Sequence, residues 1–284
     1  MNRIDIPVIA GPGSQPVEAD GVQLDYPVPS GMMTYAMPQI PEPDEVGGAE
    51  QAITLLQELQ AKLAGYRVAE PAVVLPLDAL GKADVDLIDQ VLGNGEVSMK
   101  YHGAITARIQ EAVLAGVWRV QYLDGNGAVA RDVVEIAAIP GLVKETTFST
   151  AAGTLDFSRA DIPDDVYNAA PLLTEINDKL PACVRGTEPH VINLSLLPHT
   201  HEDIDFLSRT LGSGPVVILS RGYGNCRITS TATRNVWWVQ YFNSQETLIL
   251  NTLEISAVPD VACAAQEDID DSAQRLLEIL EVYR

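Results

Sequence analysis

Residues 211–259 read LGSGPVVILSRGYGNCRITSTATRNVWWVQYFNSQETLILNTLEISAVP, and the same design occurs once before in the chain. A shift of 119 positions lays Leu92-Gly93-Asn94-Gly95 on Leu211-Gly212-Ser213-Gly214. It lays Val117-Trp118-Arg119-Val120-Gln121-Tyr122 on Val236-Trp237-Trp238-Val239-Gln240-Tyr241, and Glu135–Pro140 on Glu254–Pro259. From Leu75–Pro140 against Leu194–Pro259 the register never breaks, and 20 of 66 positions are identical. Unrelated sequences of average composition would agree at about 4. The chain therefore contains a duplicated unit. Its period is far longer than the roughly 20–50 residues of a solenoid repeat, so each copy can own a core or share one with its twin.

Working outward, the first copy opens with a helical period: Ala52, Ile53, Leu56, Leu59 and Leu63 recur at three- and four-residue steps, and Gly65 is a stop. Ala72–Leu77 is a short apolar run that reads as a buried strand. Asp84 is placed to cap a short helix through Val85, Ile88 and Val91 that ends at Gly93. Extended segments follow, with Gly125-Asn126-Gly127 marking a hairpin. The second copy repeats the order, its first helix being marked by Leu172, Leu173, Ile176 and Leu180 once a two-residue length difference is allowed. Helix, strand, helix and then an antiparallel meander, in tandem, predicts an α+β fold. The expected boundaries are a Pro-rich extended arm over 1–48, a first repeat over 49–143 and a linker over 144–168. A second repeat over 169–262 and a C-terminal amphipathic helix over 263–284 follow. The arm carries eight prolines, a density no helix survives. The last helix places Ile269, Ala273, Leu276, Leu277 and Leu280 on one face, with Asp268, Asp270 and Asp271 at its positive end.

Eighteen Lys and Arg against 39 Asp and Glu give a formal charge of −21. That balance argues against a continuous nucleic-acid surface and against an anionic membrane surface, and suits a basic peptide. No run of about 18 apolar residues is present, and the first residues lack the basic-then-apolar order of a signal peptide. Cys183, Cys226 and Cys263 are odd in number and widely spaced, which fits reduced thiols in the cytoplasm.

The duplication also serves as an internal control, because a residue held in both copies is expected to serve the fold. On that test Trp118/Trp237, Tyr122/Tyr241, Gly103/Gly222 and Arg108/Arg227 are architectural, and Glu135/Glu254 are either a two-fold related carboxylate pair or, on the more economical account, strand-end partners of the repeated arginines. His199-Thr200-His201, near His190, lacks the ligand constellation of a zinc site, and neither a nucleophile elbow nor a Cys–His arrangement occurs. What is special to the second copy is Arg221, Tyr223 and Trp238. Trp238 replaces Arg119 and is expected at the surface, so the three form a candidate partner-binding patch, Trp, Tyr and Arg being typical interface anchors.

The segments GPGSQP, LLQELQ, LGNGEVS, GVWRVQY, INLSLLP, GYGNCRI, NVWWVQYFN and EISAVPDVACAAQEDIDDSAQRLLEI together resemble the HupH/HyaF family of [NiFe]-hydrogenase expression and formation proteins. The resemblance covers nearly the whole chain. It implies a cytoplasmic accessory protein rather than an enzyme, without a bound cofactor or metal. Its partner would be the hydrogenase small-subunit precursor, held before export and assembly with the large subunit alongside a thioredoxin-like HupG/HyaE-type co-chaperone. The family brings no catalytic residues to carry over. The alternative is an assembly factor that captures or delivers a metal cluster through Cys183, Cys226 or Cys263 with His199 and His201.

Overall fold

A computed structural model of the chain describes residues 38, 40, 41, 46–158, 161–184, 188–221, 224–243 and 245–283. Most of the Pro-rich arm and Tyr223 lie outside these residues. The first repeat runs α1 (Glu50–Gly65), β1 (Val73–Pro76), α2 (Lys82–Leu92), β2 (Val97–His102), β3 (Thr106–Glu111), β4 (Val117–Leu123) and β5 (Val129–Ile136). A short α3 (Gly141–Thr146) leads into the linker. The second repeat runs α4 (Ala169–Val184), β6 (His190–Asn193), α5 (His201–Leu211), β7 (Val216–Ser220), β8 (Asn225–Ser230), β9 (Val236–Phe242) and β10 (Leu248–Ile255), and α6 (Gln266–Glu281) closes the chain. The α+β tandem repeat is the fold.

The repeated Leu-Gly-x-Gly motif has a local cause. Gly93 and Gly212 end α2 and α5 at φ of 55° and 67°, a left-handed conformation that costs glycine nothing. Two residues on, a Cβ on Gly95 would stand 2.2 Å from the Ala112 carbonyl oxygen, and one on Gly214 2.5 Å from that of Thr231. The first glycine turns the chain and the second lets it enter the sheet beside a neighbouring backbone.

All ten strands form one antiparallel sheet in the order β1-β5-β4-β3-β2-β7-β8-β9-β10-β6. The halves join through β2 and β7, where Val97 pairs with Ser220, Met99 with Ile218 and Tyr101 with Val216. Under the 119-residue shift Val97 is the twin of Val216 and Tyr101 of Ser220. The junction is therefore self-complementary about a pseudo-two-fold axis through the Met99–Ile218 pair, as at an isologous dimer interface.

Three cores follow from the alternation of side chains across the sheet. On one face α1, α2 and α6 cover the first repeat, and α4 with α5 cover the second. On the other face both repeats contribute to a shared core holding Trp118, Trp237, Met99 and Ile218, roofed by Leu142 and Val143 of α3 and by Ala262. The segments that follow the repeats are exchanged. The helix after the second repeat, α6, buries Ile269, Ala273, Leu276 and Leu280 against α1 of the first. The linker after the first repeat buries Leu155 and Val166 in the core of the second, and Ala152 bridges Thr233. Each repeat thus completes its core with the tail of its twin.

Ala52, Leu56, Leu59 and Leu63 of α1 are buried, as are Ala169, Leu173, Ile176 and Leu180 of α4, so the two helices do correspond at an offset two residues shorter than 119. Asp84 works differently from expectation. Gly81 is the N-cap of α2, and the Asp84 carboxylate accepts the Ala52 N–H at the start of α1 (2.9 Å). Its twin Asp203 accepts the N–H groups of Tyr167, Asn168 and Ala169 before and at the start of α4, and closes a capping box with Thr200 on α5. Burial alone would raise the Asp203 pKa. The backbone N–H groups outweigh it and hold the carboxyl below its ordinary value.

A polar groove on the helix side of the sheet

The helices lie over the outer strands, and the outward residues of the four middle strands on that face belong to none of the three cores. Two cross-strand rows form this strip. One runs Gln121, Arg108, Lys100, Val217, Thr229, Trp238, and the other Arg119, Gln110, Ser98, Leu219, Arg227, Gln240. Ser98, Gln110, Leu219 and Gln240 are buried and make the floor, while Arg108 is exposed and Lys100 and Arg227 are half-buried. A cavity of about 270 Å³ opens where α2 ends against β2, β3 and β4. Its walls include Asp89, Asn94, Lys100, Arg108, Gln110 and Arg119.

Arg119 is already engaged. Its Nε and Nη2 donate to the two Asp132 oxygens at 2.5 and 2.6 Å, and Nη1 donates to Asp89. Burial alone would lower the Arg119 pKa, but the two carboxylates outweigh it and raise the guanidinium further. The Asp89 carboxyl is pushed up by burial against the pull of Arg119. In the second copy Trp238, Asn251 and Ser208 stand at the positions of Arg119, Asp132 and Asp89, and the Trp238 Nε1–H donates to Asn251 Oδ1 at 2.5 Å. An ion-pair cluster on one side of the axis is an aromatic–amide contact on the other.

This corrects the expected patch. Trp238 is 8% exposed and belongs to the core of the second repeat, because its strand position faces α5. Arg221 is exposed after β7, where its N–H donates to the Glu96 carbonyl, and so stands at the end of the strip, apart from Trp238. Glu135 and Glu254 do not pair with the repeated arginines. Strand alternation puts them on the opposite face, where Glu135 accepts the Gly141 N–H (2.5 Å) and burial raises both carboxyls. Arg108 and Arg227, read from repetition as framework, form no salt bridge with a described residue. The sequence signal that could have found them was the period-two alternation in Ala107–Ile109 and Cys226–Ile228, which sets both arginines on the face away from the apolar residues.

The thiols and imidazoles do not converge. Cys226 and Cys263 lie in or against the shared core, Cys183 against the core on the other face. Burial pushes the Cys226 and Cys263 thiols up to about 12. His190 bonds Glu175 (2.7 Å), and His201 faces Asp205 on its own helix (3.8 Å). Among the described residues no three His, Cys, Asp or Glu side chains are grouped to hold a metal ion, and no helix is long and apolar enough to cross a membrane.

Known proteins with this sequence pattern are named for hydrogenase expression, hydrogenase formation or a hydrogenase operon. The family described as HupH hydrogenase expression protein, C-terminal conserved region, matches residues 50–155 and 166–283. The hydrogenase expression/formation protein HupQ of Azotobacter chroococcum mcd 1 is 50% identical over 95% of either chain. HupH of Rhodobacter capsulatus is 43% identical over 98% of this chain and 97% of its own. The hydrogenase-1 operon protein HyaF of Escherichia coli K12 is 33% identical over 96% and 95%. A solved structure, hydrogenase expression protein HupH from Thiobacillus denitrificans, aligns with 39% of this chain and 92% of its own at 31% identity and a TM-score of 0.37. The matched segments take in both repeats and the exchanged tail of each, and on that extent of identity the chain belongs to the HupH/HyaF family of hydrogenase expression/formation proteins.

Proposed function

We propose that this protein is a non-catalytic accessory of hydrogenase maturation that acts in the cytoplasm as a chaperone for the small-subunit precursor. It holds that subunit before export and before it joins the large subunit, in concert with a thioredoxin-like partner of the HupG/HyaE type. One observation carries the reading: a polar-lined cavity of about 270 Å³ lies between α2 and β2–β4 of the ten-stranded sheet, while the three thiols are divided between its two faces and two are held in the thiol form. Such a scaffold suits binding and release of a surface, and burial keeps its described thiols from acting as thiolates. The family's designation supplies the pathway. The acidic balance of the chain suits the arginines of an export signal.

Affinity capture tests this directly. A tagged full-length chain is expected to retain the small-subunit precursor from cells making the hydrogenase, and to lose it when the signal arginines are reversed to glutamate. Capture of the large subunit alone would sink the reading. Delivery of a metal cluster through the cysteines is disfavoured by their dispersion, and maturation is expected to survive in a C183S/C263S double variant.

A further inference from the structure

We propose that the groove over the middle strands binds a short acidic segment of a partner protein in extended form, its carboxylates received by Arg108 and Arg227. The inference rests on the reading of the chain as a protein-binding accessory. It concerns a basic site in an acidic molecule, distinct from any attraction of the outer surface for basic peptides.

Four observations carry it. First, in a chain of net charge −21, Lys100, Arg108, Arg119 and Arg227 all face one strip of sheet. Arg119 is taken up by Asp132 and Asp89, whereas Arg108 and Arg227 have no salt bridge among the described residues. A half-buried guanidinium without a carboxylate is an incomplete interaction, because its desolvation is not offset. Arg227 stands over the Phe242 ring at 5.6 Å, and its buried Nε has no acceptor among the described residues. Secondly, the Gln110 Nε2 in the cavity wall shares its two N–H groups among the carbonyls of Gly95, Val97 and Glu111, while its buried Oε1 has no donor among the described residues. An acceptor beside cations fits a polypeptide, which brings backbone N–H groups as well as carboxylates.

Thirdly, the arginines are spaced by the pseudo-two-fold axis. Three strand intervals and one two-residue step separate their Cα atoms, roughly 16 Å in all. An extended segment advances about 3.3 Å per residue and alternates its side chains, so acidic residues about four or six apart lie on one face and reach both. Lys100, directly opposite Arg108 on β2, adds charge at one end, and Val217 with Leu219 gives an apolar middle. Fourthly, the rim is acidic: Glu96 and Asp89 are exposed beside the cations, and Glu246 acts on Arg227. That rim confines any bound acidic segment to the few residues the cations cover, and a long polyanion such as nucleic acid would need a continuous basic track that four cations do not make.

The test is fluorescence anisotropy of a labelled glutamate-rich decapeptide and its glutamine counterpart with the full-length protein at about 0.15 M salt, where surface charges beyond about 8 Å are screened. The glutamate peptide is expected to bind at least about tenfold more tightly, and R108Q and R227Q are each expected to weaken it about tenfold, as for a lost charge-assisted hydrogen bond. K82Q, at an exposed cation outside the groove, is expected to leave the Kd unchanged. Arg108 is exposed, so R108Q alone decides the matter if R227Q folds poorly. Equal binding of both peptides overturns the proposal, as does K82Q weakening binding as much as R108Q. Binding that appears only after removal of residues 1–37 also overturns it, since the arm would then be the occupant. A protein that ignores the peptide yet still captures the precursor defeats the groove and leaves the chaperone reading standing.

Discussion

Gly95 and Gly214 show how little freedom the repeated motif has. Each lacks a Cβ because its place is occupied by the chain leaving β3 or β8: the Ala112 carbonyl for Gly95, and the Ser230 hydroxyl with the Thr231 carbonyl for Gly214. Gly95→Ala must move sheet backbone, and Gly214→Ala must do so while also displacing the Ser230 hydroxyl that accepts the Val216 N–H, so a loss of about 3 kcal/mol in urea unfolding is expected for either. Asp203 is constrained by charge. Its carboxylate is buried and accepts backbone N–H groups at the start of α4 and α5, so Asp203→Ala leaves buried donors unmet and should cost about 2–4 kcal/mol. Because the folded pKa lies below the unfolded value, this stabilisation is present above the unfolded carboxylate pKa and is lost as pH falls through the folded one. Thermal melts across the acid range should show the wild type converging on Asp203→Ala.

At the scale of elements, α6 and the two copies of the β3–β4 turn explain each other. Gly116 precedes β4 at φ 77°, and its twin Asn235 precedes β9 at φ 60°, so the turn needs a left-handed residue and accepts asparagine. Only the first copy has α6 against it: a Cβ on Gly116 would meet Ile269 at 2.6 Å. Gly116→Asn is therefore compatible with the backbone and incompatible with the helix, and faster amide exchange confined to α6 and α1 is expected. Glu111, at the end of β3, sits where the second copy has the buried Ser230, and burial pushes its carboxyl up to about 7, with Glu96 and Asp268 adding to the shift. The folded pKa exceeds the unfolded one. The folded state holds the extra proton, stability is greatest below the unfolded value, and it declines as pH rises toward 7. Full realisation would be on the order of 3 kcal/mol. Glu111→Gln should flatten the stability curve between about pH 4.5 and 7, read by urea titration at each pH.

For the whole molecule, the 119-residue period made the tandem α+β unit legible, and strand alternation already implied which of Trp237 and Trp238 faces which side. What sequence could not supply was the partner of each face. Trp238 looked free because its twin is Arg119, but both positions point toward the helices, and burial of one as an ion pair and the other as an indole leaves the same fold. Arg108 and Arg227 looked structural because they recur, yet a duplicated surface repeats as faithfully as a duplicated core. The exchange of tails was equally hidden, since α6 reads as amphipathic wherever it docks. That exchange has a direct consequence for dissection. A fragment of residues 46–147 would lack Ile269, Ala273, Leu276 and Leu280 and would expose β2, whose edge pairs with β7 in the intact chain. Loss of the three large side chains Ile269, Leu276 and Leu280 alone forfeits about 1.5–3 kcal/mol each and uncovers the α1 face they pack on, comparable with the entire stability of a domain this size. The fragment alone is expected to be unfolded or aggregated by circular dichroism and size exclusion. Co-expression with residues 148–283 should restore a soluble 1:1 complex, because the second fragment carries α6, the linker and the β7 edge. A soluble, monomeric, cooperatively melting first fragment would show that the tails decorate the repeats rather than complete them.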